Sequence, residues 1–214
     1  MTIAIIDYGS GNLRSVSKSV EKSVNDLNLK KKVLVTNKPE DIKKSDRIIL
    51  PGVGSFSDCM QGLQKISGLL EALYSSVCEQ KKPFFGICVG MQLMSETSFE
   101  NGKHKGFSWI PSEVIPIENK NKKLKIPHMG WNELKILQPD HYLLKNVSNN
   151  AHAYFVHSYF VTVKEDKYKL LEVEYGNQLT AAVVVENKFG TQFHPEKSQA
   201  TGRSIINNFL TWKP

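Results

Sequence analysis

Cysteine is scarce in this chain: three among 214 residues, Cys59, Cys78 and Cys88. So small and odd a number argues against a disulfide framework and for a reducing, cytoplasmic setting. Long apolar runs are lacking too. The richest, Phe84 to Met94, is broken by two Gly and a Gln, far short of the roughly 20 apolar residues that cross a bilayer. No basic region followed by an apolar stretch opens the chain, so no signal peptide is expected. Internal repeats and low-complexity stretches are missing. Hydrophobic residues at 40% and charged residues at 23% are globular values that exclude wholesale disorder. No Cys pair or helical His spacing offers a metal site. Gly9-Ser10-Gly11 lacks the third glycine of a dinucleotide fingerprint, because Arg14 stands there.

Positive charge is in modest excess: 28 Lys+Arg against 21 Asp+Glu, a net +7. The lysines cluster at Lys30-Lys31-Lys32, Lys43-Lys44, Lys81-Lys82 and Lys120 to Lys125. These clusters are spread along the chain at element ends and in loops. No aromatic–basic motif accompanies them, so they read as a solvated exterior rather than a nucleic-acid surface.

The first half alternates short apolar runs with amphipathic stretches. Strands are expected over Thr2 to Asp7, Val33 to Thr36, Arg47 to Leu50 and Pro83 to Ile87. Helical patterns are expected over Asn12 to Leu27, Ser57 to Leu63 and Leu69 to Gln80, and another begins at Gly90 to Ser95. Such alternation implies parallel strands with right-handed crossovers. The second half reads as strands joined by short turns: Trp109 to Ile117, Ala153 to Val163, Leu170 to Tyr175, Leu179 to Glu186 and Phe189 to Phe193. The segment around Pro127 to Trp131 reads as loop, and Glu118 to Lys125 as a hairpin tip or loop. A helix from Thr201 to Leu210 closes the pattern. The expected architecture is α/β: residues 1–214 as a single three-layer domain with a mixed, mostly parallel central sheet.

The sharpest chemical signal is Gly86-Ile87-Cys88-Val89-Gly90. An apolar strand precedes it and a helical pattern follows, the context of a nucleophile elbow with Cys in the nucleophile position. Flanking glycines suit so tight a turn, where Cβ atoms would clash. The turn sets Cys88 at a helix N-terminus, where the dipole stabilises a negative sulfur, and points the Val89 N–H to where an oxyanion forms. Cys59 and Cys78 lie in helical patterns and read as core.

A nucleophilic cysteine needs a base. Of the six histidines, His194 ends an apolar strand and precedes Pro195, which favours extended geometry. Residues two apart then share a face, so Glu196 can orient the His194 imidazole and stabilise its protonated form.

Together, Gly86 to Gln92 and Phe193-His194-Pro195-Glu196-Lys197 resemble the class I (triad-type) glutamine amidotransferases, whose fold is flavodoxin-like. Ile5 to Asn12, Leu50-Pro51-Gly52-Val53-Gly54, Pro127 to Asn132 and Tyr154 to Tyr159 resemble one branch of them, the glutaminase subunits of imidazole glycerol phosphate synthases. These motifs span residues 3 to 197. The resemblance implies hydrolysis of glutamine through a thioester on Cys88, with His194 and Glu196 completing the triad and no cofactor. It implies a heterodimer in which ammonia passes to a separate (β/α)8 cyclase subunit of histidine biosynthesis. Pro51 to Gly54 matches the oxyanion strand, with the Val53 N–H as second donor after a peptide flip. Gly52, Gly54, Gly90, Gln92, Glu100, Ser158 and Tyr159 match glutamine-contacting positions, the last two through the backbone. Asn12, Trp131 and Lys197 match positions that face the cyclase.

Other readings stay open on the residues alone. A paralogous glutaminase could supply another synthase, for example one that adds nitrogen to a surface sugar. A pyridoxal phosphate synthase partner fits less well, given the motif around Trp131. A cysteine hydrolase of another class lacks the Pro-Gly-Val-Gly strand, and a scaffold role sits badly with an intact Cys88, His194 and Glu196.

Overall fold

The computed structural model describes residues 2–118 and 124–214. The expected hairpin tip at Glu118 to Lys125 lies mostly outside them. The first half runs β1 (Thr2–Ile6), α1 (Leu13–Asp26), β2 (Lys32–Thr36), α2 (Pro39–Lys44), β3 (Arg47–Gly52), α3 (Phe56–Gln64), α4 (Leu69–Tyr74), β4 (Phe84–Cys88) and α5 (Val89–Gln92). Then follow β5 (Thr97–Ser98), β6 (His104–Lys105), β7 (Ser112–Pro116), β8 (His128–Ile136), β9 (His152–His157), β10 (Tyr159–Val163), β11 (Lys169–Tyr175), β12 (Asn177–Val185), β13 (Lys188–Thr191) and α6 (Gln199–Thr211).

A nine-stranded sheet has the order β2-β1-β3-β4-β13-β12-β11-β8-β9. Pairing is parallel from β2 through β13 and antiparallel from β13 through β9. The expected mixed α/β sheet is therefore present, divided evenly between the two pairing modes. β3 and β4 are buried along their whole length, which is why they read as continuous apolar runs rather than alternating ones. The chain steps from β1 to β2 on one side and then to β3 on the other. Right-handed crossovers in opposite directions put α1 and α2 on opposite faces. α6 packs on α1, while α2, α3 and α4 form the other layer. The core is aromatic, with Phe85 stacked on Phe189 at 4.6 Å and tilted against Phe209 of α6 at 5.1 Å.

Two local readings need correction. The expected loop at Pro127 to Trp131 is largely the start of β8, whose backbone pairs with β9 and β11. Gly130 and the polar residues of β8 hide a strand that long-range pairing alone defines. The expected strand Ala153 to Val163 breaks at Ser158: β9 belongs to the large sheet, whereas β10 joins a second sheet of order β10-β7-β5-β6. The helix expected to reach Gln80 does so, with α4 continuing into a π-helical turn at Ser75–Glu79.

His128 and His157 face each other across the β8–β9 ladder, 3% and 6% exposed. Burial pushes both imidazoles down from 6.5, to about 4 for His128 and about 3 for His157. Both folded values lie below the unfolded one, so as pH falls the unfolded chain takes up protons first. Stability is complete above pH 6.5 and is lost as pH drops toward 4, by about 1.4 kcal/mol per pH unit for each histidine. Urea unfolding at pH 7 and pH 5 should show this loss, and replacing both histidines by Asn should flatten it. An equally steep loss in the double variant would assign the acid sensitivity to other groups.

Candidate active site

β1, β3, β4 and β13 all end at one edge of the sheet, where β1 is the switch point between the two crossover directions. Ligands in open α/β sheets bind at such an edge, outside the carboxyl ends of the strands. A cavity of about 180 Å³ lies there, lined by Val53, Gly54, Cys88, Val89, Gln92, Glu100, Val156 to Tyr159 and His194. A larger hollow of about 740 Å³, around Asn132, Glu133 and Gly176, is open and has no nucleophile or oriented base among the described residues that line it. The smaller cavity is the chemical one.

Cys88 ends β4 and caps α5 with φ +55° and ψ −111°. A side chain in that region is strained, and the surroundings must impose it. They do so by close packing: a Cβ on Gly90 would lie 1.9 Å from the Leu50 carbonyl oxygen, so α5 can rest on β3 only with glycine there. The Cys88 sulfur is nearly buried and faces the cavity. Cys59, buried on α3, lies 3.4 Å from the Val53 carbonyl and 3.5 Å from Ser10 Oγ and does not line the cavity. Burial pushes the Cys59 and Cys78 thiols up, so neither is primed for attack.

His194 follows β13, and its Nδ1 lies 2.9 Å from Glu196 Oε1. Both side chains are almost wholly buried. Burial alone would depress the imidazole, but the neighbouring Cys88 sulfur and the Glu196 carboxylate overcome it and hold His194 at about 10. Its Nε2 has no hydrogen-bond partner among the described residues. One face of the cavity thus carries a sulfur, an imidazole biased toward its charged form, and a carboxylate that orients it.

The Val53 N–H points at Ser10 Oγ, 3.4 Å away, and Ser10 Oγ donates to the Val53 carbonyl at 2.5 Å. Presenting that N–H to the Cys88 side requires the peptide rotation that the resemblance implies. Gly54, next along the chain, has φ +94°, a conformation open to glycine. Gln92 donates to the Tyr159 carbonyl at 3.0 Å. Glu100 Oε2 accepts from Phe56 N–H at 2.6 Å, at the start of α3. Gly52 and Gly90 approach each other beside Cys88, too closely for a Cβ on Gly52.

The positions expected to face a partner form a second group. Trp131 is 47% exposed and packs edge-on to Tyr154 at 6.1 Å. The Lys197 ammonium lies 5.5 Å over the same Tyr154 ring. Asn12 precedes α1, which packs on the turn bearing Lys197. Gln192 has no motif signal of its own, being one polar residue in an apolar strand end, yet its amide lies 3.7 Å from Cys88 Sγ.

The model of the glutamine amidotransferase class-I family matches residues 4–212. The chain belongs to that family. Two relatives of this amidotransferase are named imidazole glycerol phosphate synthase subunit HisH. The one from Rhodospirillum rubrum is 47% identical over 214 residues, and the one from Rhizobium meliloti 46% identical over 217, each covering all of both chains. Among solved structures, the glutaminase domain of Trypanosoma brucei CTPS superposes with a TM-score of 0.67 over 100% of this chain and 95% of that one. At 16% identity that likeness speaks for the amidotransferase fold alone. Among the described residues, no helix is long and apolar enough to cross a membrane.

Proposed function

We propose that this chain is the glutaminase subunit of an imidazole glycerol phosphate synthase. The observation that carries the chemistry is Cys88 at its strained turn beside the His194–Glu196 pair, on the wall of one cavity. The branch is supported by relatives of that name, near-half identical over the full length of both chains.

The thiolate of Cys88 attacks the side-chain carboxamide carbon of glutamine. The carbonyl electrons move onto oxygen, stabilised by the Val89 N–H and, after rotation, the Val53 N–H. Collapse breaks the C–N bond, and the His194 imidazolium gives its proton to the departing nitrogen. Ammonia leaves and a thioester remains on Cys88. Neutral His194 then takes a proton from water, which attacks the thioester and releases glutamate. Glu196 keeps the imidazole in the tautomer that both steps need. Gly52, Gly54, Gly90, Gln92, Glu100 and the backbone of Ser158 and Tyr159 hold the substrate, and Glu100 suits the α-ammonium group. No cofactor is needed.

Ammonia released into water at neutral pH becomes ammonium, which is not a nucleophile. A closed path to an acceptor is required, so the site belongs beside an interface. Asn12, Trp131 and Lys197 form that face toward a separate (β/α)8 cyclase subunit in a heterodimer. The whole of residues 1–214 serves as one amidotransferase domain. The test is glutamine hydrolysis with and without the cyclase and its nucleotide substrate. Stimulation by that pair is the expected result. Stimulation only by a different synthase, such as one acting on a surface sugar, would move the chain to a paralogous branch.

A further inference from the structure

Two buried histidines have no task in this scheme. His128 Nδ1 lies 2.9 Å from His157 Nε2, and His157 Nδ1 lies 2.9 Å from the Tyr159 carbonyl oxygen. The side-chain nitrogen of Asn132 lies 3.2 Å from His128 Nε2. The carbonyl sets the polarity of the whole series. It can only accept, so His157 Nδ1 carries the hydrogen. Burial keeps both rings neutral at neutral pH. His157 Nε2 therefore accepts from the His128 Nδ1–H, and His128 Nε2 accepts from the Asn132 amide. The His128 ring is clamped between Phe155 at 4.7 Å and Tyr175 at 4.0 Å, nearly parallel to both.

The series continues toward the nucleophile. Tyr159 lies just past the break between β9 and β10. The Ile117 N–H bonds to the Ser158 carbonyl at 2.9 Å, so the next pair, Tyr159 with Pro116, is not hydrogen-bonded and its groups point out of the ladder. The freed Tyr159 carbonyl accepts from His157 and from Gln92 Nε2. The Gln92 amide also donates to Gln192 Oε1 at 3.1 Å. Gln192 must then turn its NH2 toward Cys88 Sγ, 3.7 Å away. Each amide in the row has one allowed orientation, dictated from the carbonyl.

We infer that His157, backed by His128, is a positioning residue of the glutaminase reaction: its Nδ1–H fixes the Tyr159 carbonyl, which orients Gln92 and, through Gln192, a donor beside the Cys88 sulfur. This deepens the proposed glutaminase function and rests on it. Without that hydrogen bond the carbonyl is free to turn, and both amides can flip.

Substitution separates this role from packing. Asn at 157 places its amide nitrogen near the position of Nδ1 and keeps the donor. Phe keeps the ring's volume and loses the donor. In complex with the cyclase, His157→Phe should lower kcat/KM for glutamine by about tenfold or more, since misplaced groups cost rate steeply. Ammonia-dependent synthesis by the same complex should stay at the wild-type level. His157→Asn should recover most of the loss. A packing role gives the opposite order, with Phe tolerated and Asn poor, and that order would overturn the inference. So would wild-type kcat/KM in His157→Phe. If the Phe variant does not assemble with the cyclase, His157→Gln decides: its amide reaches the Nε2 position but not Nδ1, so it should fall well below Asn. Equal activity of Gln and Asn also overturns the inference. Wild-type protein that hydrolyses no glutamine would overturn the functional reading itself, a different result from wild-type activity with an unaffected Phe variant.

Discussion

Cys88→Ala is expected to cut glutamine hydrolysis by about 10⁴-fold or more, since loss of the nucleophile removes the covalent route outright. Ammonia-dependent synthesis by the complex with the cyclase should persist, because the acceptor chemistry does not touch the sulfur. Glutamate release and product formation from added ammonium salt measure the two activities side by side. Stability should change little. The φ of +55° at residue 88 is as unfavourable for Ala as for Cys, so the substitution neither relieves nor adds strain. The loss therefore reports chemistry rather than unfolding. Residual hydrolysis near the wild-type rate in Cys88→Ala would rule out the thioester route. No neighbouring thiol can take over, since Cys59 is buried on α3 between the Val53 carbonyl and Ser10 Oγ.

Gly202→Ala should be among the most damaging substitutions outside the cavity. A Cβ at residue 202 would lie 1.8 Å from the Pro195 carbonyl oxygen and 2.6 Å from its carbon. Both are backbone atoms, so no rotamer change relieves the clash. The same turn is stitched to α6 by Ser198, whose Oγ donates to the His194 carbonyl at 2.7 Å and accepts from Tyr154 N–H at 2.9 Å. The methyl group forces α6 away from the turn that carries His194 and Glu196. We expect a loss of about 3 kcal/mol or more, seen as a fall in Tm of about 6–12 °C for a chain of this size. Glutaminase activity should fall with it, because the His194–Glu196 pair moves. An unchanged Tm would show that α6 can shift without cost, against the close approach described above.

Much of this was legible in the residues. The β4 elbow showed itself because a nucleophile at a tight turn needs small neighbours, and Gly86 and Gly90 flank Cys88. His194-Pro195-Glu196 was legible as a short-range pair, but the expected extended geometry holds only at His194, before the proline; Pro195–Lys197 forms a 3-10 turn, and that turn brings the Glu196 carboxylate to the imidazole. The parallel half of the sheet followed from alternating apolar runs and amphipathic helices. β8 was not legible. Its Gly130, Asn132 and Glu133 carry no strand pattern, and the segment is held by partners at residues 152–157 and 171–173. The break at Ser158 was hidden as well, because β9 and β10 read as one apolar run while their hydrogen-bond partners lie in different sheets.

Fold class, family and the groups whose spacing is short enough for backbone geometry to dictate were therefore written in the residues: Cys88 with its glycines, and His194 with Glu196. Contacts across long separations came from the folded chain alone. It brought Gln92 to Gln192 and Tyr159, Ser10 to Val53 and His128 to His157. Local propensity acts over a few residues, whereas these contacts form only where strands from distant parts of the chain end at one edge of the sheet. The same packing buries His128 and His157 and keeps them neutral, which no reading of six scattered histidines could have foretold.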